Sequence, residues 1–144
     1  MAAIEVTAAQ VALVDPIKAI VKSYLAGSTI TKGQVVAQAT DGSVDPADAS
    51  SGLGYLFEQV RGIALNGGGT GQAIDVLQDG EVYGFTIAAL NCGALLHLSD
   101  DVGQMDTALG TGDVYLGRVT ALADKDATKV CRIQIIFSEA LAAE

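Results

Sequence analysis

The residues able to do chemistry are few, and their spacing argues against most sites. The single histidine, His97, sits in the run Leu95-Leu96-His97-Leu98-Ser99-Asp100-Asp101. A serine–histidine–acid site needs nucleophile, base and orienting acid within mutual reach. Ser99, Asp100 and Asp101 are near in sequence, but adjacent strand positions point to opposite faces, so they do not converge on His97 as a triad. Asp41-Gly42-Ser43-Val44-Asp45 begins like a calcium loop. Such a loop needs glycine at its sixth position and glutamate at its twelfth, where this chain has Pro46 and Gly52. A turn with solvated carboxylates fits better. Gly67-Gly68-Gly69-Thr70-Gly71 suggests a phosphate loop but lacks the Lys-Ser/Thr pair and a following long helix, so it reads as a hairpin loop. Cys92 and Cys131 lie in separate apolar segments and, with one histidine, do not make a close tetrahedral zinc set. Alternation places Cys131 on the face of Ile133 and Ile135, a core face. Both cysteines are expected to be free thiols, although a disulfide between them is open in principle. No catalytic, cofactor-binding or metal residues are assigned, and the chain is not expected to be an enzyme.

Composition narrows the partners. The chain has 144 residues, enough for one domain with a real core, and a net charge of −9. That charge repels phosphate backbones and anionic lipid, so neither nucleic acid nor membrane is an expected partner. Only 17% of residues are charged although 50% are hydrophobic, against about 25% charged in an average domain. A chain this poor in charge suits a subunit that hides surface against copies of itself or another protein. Glu5 and Asp15 interrupt the first residues, so no secretory signal is expected. No run of about 18 apolar residues occurs, so no helical span is expected.

The elements that must position these groups are strands. Lys18 to Leu25 alternates loosely. Thr29 to Ala39 reads as strand, tight turn at Lys32-Gly33, strand. Asp41-Gly42 is a turn, and Val44 to Ser51, which contains Pro46, is expected to be loop. Val60 to Leu65 and Ala73 to Leu77 are strands. Asp79-Gly80 is expected to turn the chain into a further strand, Glu81 to Ala88. Leu95 to Leu98 is a short strand, followed by turn residues Ser99 to Gly103. Val114 to Leu122 and Lys129 to Phe137 are the clearest late strands, joined by Ala123 to Thr128. Only Ser138 to Glu144, and the first dozen residues, have helical composition. Nine or ten short strands at this spacing imply an all-β fold, a compact β-sandwich or β-barrel-like domain with little helix.

The chain also reads as loosely repeated. Thr31–Val36, a polar loop, Arg61–Leu65 and Ala73–Phe85 have counterparts in Asn91–Asp101, Gln104–Asp113, Leu116–Leu122 and Lys129–Phe137.

Three groups of residues carry a resemblance. They are Ala26–Val36; Arg61–Leu65 with its glycine-rich loop and Ile74–Leu77; and Gly93–Asp100 with Leu116–Val119. In order and spacing, over residues 17 to 137, they resemble the capsid decoration proteins of tailed bacteriophages, also called cement or head-stabilisation proteins. The resemblance implies a structural virion protein: a homotrimer on the outer capsid surface that clamps neighbouring major capsid subunits, made in the host cytoplasm. Decoration proteins of the lambda type bind with a flexible N-terminal arm. Residues 1–16 are therefore expected to form an arm or extension, and residues 17–144 a single β-rich domain. Ile4, Glu5, Val6, Val11, Leu13 and Val14 are its candidate capsid contacts, since the segment has apolar anchors and ends at Asp15-Pro16. An ordinary first strand or helix packed on its own domain is the competing reading. A second functional reading is a lipoyl-like carrier or ligand-binding β domain, presenting Lys125 within Asp124-Lys125-Asp126-Ala127 at a hairpin tip.

Overall fold

The computed structural model describes residues 4–47, 60–87, 89–108, 115–122 and 125–134. They form one curled, ten-stranded antiparallel sheet with a single short 3-10 turn, Ala8–Gln10. The all-β reading holds. The strands are β1 (Ala12–Leu13), β2 (Ile20–Leu25), β3 (Val35–Gln38), β4 (Val44–Pro46), β5 (Val60–Ala64), β6 (Ala73–Tyr83), β7 (Leu95–Leu98), β8 (Met105–Asp106), β9 (Tyr115–Leu122) and β10 (Lys125–Gln134). The main path runs β4-β3-β5-β6-β10-β9-β7-β8, with β1 and β2 both added to β6.

The largest departure from expectation lies at Asp79-Gly80, which is no hairpin turn. The chain continues through it as the eleven-residue strand β6. The glycine is used for a bend: Gly80 has φ of 153°, a conformation that L side chains rarely adopt. Ile20 pairs with Asp79 while Val21 pairs with Leu77, so Gln78 is an extra, bulged residue. Its buried amide donates to the Tyr24 hydroxyl at 3.0 Å. Leu77 is paired with both Val21 and Ile63, and Val82 with both Leu13 and Cys131. One strand therefore organises both halves of the sheet. Residue 88, within the expected strand Glu81 to Ala88, lies outside the described residues.

Two smaller corrections concern loops. Val44–Pro46 is strand, because a three-residue element beside β3 tolerates proline as a central strand would not. β10 starts at Lys125, so the connection from β9 is shorter than expected. A register shift between Lys125 and Lys129 absorbs the difference. The turn at Lys32-Gly33 forms as expected, with Gly33 at φ 93°.

The loose repeat is a repeat of structure. β3, β4, β5 and β6 have the same neighbours as β7, β8, β9 and β10, and the sheet order is palindromic about β6 and β10. Gly33 N–H donates to the Ala64 carbonyl at 2.8 Å, and Gly93 N–H to that of Val119 at 2.7 Å. Ala64 N–H returns to Gln34, and Val119 N–H to Ala94. Val36 pairs with Gly62 as Leu96 pairs with Gly117, and in both ladders the register shifts at the next residue. A β-carbon on either Gly62 or Gly117 would lie 1.8 Å from a backbone oxygen, that of Leu77 or of Arg132. Each repeat thus needs glycine at the same place.

The main core draws on both repeats: Val35, Ile63 and Leu77 of the first pack with Leu96, Leu98, Val119 and Cys131 of the second. A second cluster, Ala26, Ile30, Val36, Val44, Ala64, Ile74 and Val76, fills the other face of the first repeat. A parallel bridge between Ala26 and Val44 closes that repeat around it.

Candidate functional site

The N-terminal segment lies strapped along its own subunit in this structure. Ile4 and Val11 are buried in the main core, with Val6 and Leu13 packed against it. The backbone is tied at four places: Ile4 N–H to Met105, Thr7 N–H to Gly84, Thr86 N–H to Glu5 and Val14 N–H to Glu81. β1 adds two paired residues beside Tyr83 and Val82. Of the six candidate contacts only Glu5 is exposed; Val6, Leu13 and Val14 are half-buried. This arrangement is the packed-strand alternative. Ile4 and Val6, alternating about Glu5, lie beside β8 and Phe85, past the end of β6, while Ala12 and Leu13 add to β6 itself. A groove of about 400 Å³ opens beside the strap, with Glu5 and Lys32 among its lining residues, together with Gln34 and Gln104.

His97 is buried in β7, between Asp106 on one neighbouring strand and Tyr115 on the other. Its ring meets that of Tyr115 edge to face, with centroids 6.2 Å apart. The Nδ1 atom is buried without a hydrogen-bond partner. The potential triad members are engaged elsewhere. Ser99 Oγ accepts from the Asp101 N–H at 3.0 Å, and Asp106 Oδ1 accepts from the Ala108 N–H at 3.1 Å. Asp106, nine residues away, was the one acidic neighbour that sequence proximity did not reveal. Only the pairing of β7 with β8 places it there.

The other motifs resolve into turns. Asp41 Oδ1 accepts from the Ser43 hydroxyl at 2.6 Å and from its N–H at 3.0 Å, which holds the carboxyl below its usual range. Asp45 accepts from the Ser28 hydroxyl instead of turning toward Asp41. In the glycine-rich loop, Gly69 N–H donates to the Gln72 side chain, and Gly68 pairs with Ile30. Cys92 is exposed and Cys131 buried, both as free thiols, and burial pushes the Cys131 thiol up to about 12. Among the described residues no group of three His, Cys, Asp or Glu side chains could hold a metal ion. Lys125 begins β10, paired with Leu122 beside the hairpin connection.

The feature that sequence reading passed over is the exposure of apolar side chains along β2, a strand it did expect. Ile17, Leu25, Ile20 and Val21 are 94%, 59%, 42% and 38% exposed, in one stretch of chain. The signal was present: apolar residues on both faces of Lys18 to Leu25, with Lys18 and Lys22 interspersed, mark an edge strand.

In comparison with known proteins, no family model matches the chain, and neither a curated protein nor a solved structure does.

Proposed function

We propose that this chain is a structural virion protein that binds the outer surface of a phage capsid and stabilises the shell. The observation that carries the reading is the common placement of its three resembling segments. Thr31–Val36 and Gly93–Leu98 enter β3 and β7 through matching glycine turns, and Arg61–Leu65 and Leu116–Val119 form the matching strands β5 and β9. The resemblance therefore follows one repeated frame. Two further features support a binding role. Polar groups near His97, Asp41 and Gly69 are spent on local turns, while apolar side chains stand exposed along β2. An exposed apolar stretch of this kind is characteristic of a contact surface.

The test is cosedimentation of the purified protein with expanded capsids of its own phage. Saturable binding to expanded shells is expected; failure to pellet with them contradicts the proposal. The carrier reading draws on Lys125 beside the β9–β10 connection, and a mass increase on Lys125 after expression in a lipoylating host would favour it.

A further inference from the structure

We propose that the outer face of the second repeat, built from the Gly93 turn, Leu95 and Arg118, docks an extended, carboxylate-bearing segment of a major capsid subunit; this assignment rests on the shell-binding role proposed above. The repeat itself shows which surface is left open. Gly33 and Gly93 enter β3 and β7 with the same backbone, at φ 93° and 91°, and with the same hydrogen bond to β5 and β9. A β-carbon on Gly33 would lie 2.5 Å from Val6 Cγ1 and 3.1 Å from Val11 Cγ2, both in the N-terminal strap. On Gly93 it would meet nothing among the described residues within 4 Å. Beyond the turns, Val35 and Ile63 are buried in the core shared with the second repeat, while their counterparts Leu95 and Arg118 are exposed. The face that strap and sheet cover in the first repeat is open in the second.

Charge decides what can cover this face. Arg118 stands directly opposite Arg132 in the β9–β10 ladder, and like charges so placed are destabilising. The neighbouring carboxylates are engaged: Asp79 pairs with Arg132, and Glu81 accepts from the Thr120 hydroxyl. Arg118 reaches the Tyr115 hydroxyl at 3.5 Å, and no carboxylate among the described residues pairs with it. Two of the chain's three arginines thus lie side by side on one face of a molecule of net charge −9. The guanidinium fork matches a carboxylate with two parallel hydrogen bonds. An acidic partner is repelled by the surface as a whole and finds its counter-charge here. Leu95, paired with Arg118, supplies the adjoining apolar contact, and Gly93 lets a backbone approach closely. An extended segment can therefore lay an apolar side chain on Leu95 and a carboxylate on Arg118.

Cosedimentation with expanded capsids, combined with thiol footprinting, tests this face. The natural chain should pellet, and Arg118→Glu should bind about tenfold or more weakly while its circular dichroism and melting temperature stay unchanged. Lys22→Glu makes the same charge change on β2 and should bind as the natural chain does. For the footprint, Leu95→Cys and Ile20→Cys are made in a Cys92→Ser background, at side chains 45% and 42% exposed on the two surfaces. Both should react with a thiol reagent in the free protein. On decorated capsids Leu95→Cys should be protected and Ile20→Cys should stay reactive. A natural chain that fails to pellet overturns the shell-binding role and this face with it. Where the natural chain pellets, the docking face alone is overturned if Arg118→Glu binds no more weakly than Lys22→Glu, or if Leu95→Cys is not protected in preference to Ile20→Cys. Protection of Leu95→Cys in the free protein, with a mass above that of one chain, assigns the face to a second copy and also overturns the proposal.

Discussion

Val35, Ile63 and Leu77 of the first repeat occupy the same register as Leu95, Arg118 and Arg132 of the second. The first three are completely buried, whereas Leu95 is 45% exposed and the Arg132 side chain 40%. On the opposite faces, Val36, Ala64 and Val76 correspond to Leu96, Val119 and Cys131, and all six are buried. The second repeat therefore lays its inner face against the outer face of the first. Its own outer face carries Arg132, which pairs with Asp79 at 3.1 Å. The shared frame dictates where glycine must stand. What covers each face dictates whether the other positions are isoleucine or arginine.

That contrast can be broken most severely by exchanging the residue types. Ile63→Arg buries an unpaired charge in the main core and should cost about 4 kcal/mol or more. Arg118→Ile at the equivalent exposed position should change stability by no more than about 0.5 kcal/mol. Urea unfolding of the two variants checks this, and equal losses would mean that the repeats are not stacked as described.

The glycines probe what the repeats share. Gly62→Ala and Gly117→Ala each drive a methyl group into a backbone oxygen. Each should cost about 2–3 kcal/mol, in line with other severe steric substitutions. Similar losses are expected although one side chain neighbourhood is Arg-Gly-Ile and the other Leu-Gly-Arg. Thermal melts of both variants measure the agreement; a tolerated alanine at either site would remove the shared constraint.

The smallest effect separates the two cysteines. Buried Cys131 titrates at about 12 instead of 9.0. The unfolded chain loses this proton first, so its contribution is intact below pH 9 and is lost as pH rises toward 12. Stability should fall with rising pH in that window from this group. Cys131→Ala should flatten that part of the pH profile and Cys92→Ala should leave it unchanged. In the native protein a thiol reagent should modify Cys92 readily and reach Cys131 only on unfolding.

Strand identity was legible where local pattern and burial agree, as in Val60–Ala64, Leu95–Leu98 and Tyr115–Leu122. It failed at Asp79-Gly80, because the dipeptide that makes a tight turn also makes a bulged bend when both flanks find partners. The N-terminal residues were ambiguous for a related reason: an apolar alternation about Glu5 suits an arm and a strap alike, and the contacts with Gly84, Phe85, Thr86 and Met105 that hold it here are not written in the alternation. The environment of His97 was illegible, since Asp106 reaches it through strand pairing and not through sequence proximity. The apolar residues of β2 were written in Lys18 to Leu25, but their exposure needed the packing of the rest of the sheet.

The proposed role of this chain is to stabilise a phage shell. Calorimetry of undecorated expanded capsids, with and without saturating protein, tests it most directly. The shell's melting transition should move to higher temperature as the protein is added and plateau at a fixed ratio of protein to major capsid subunit. A transition that stays in place while the protein melts independently would contradict it.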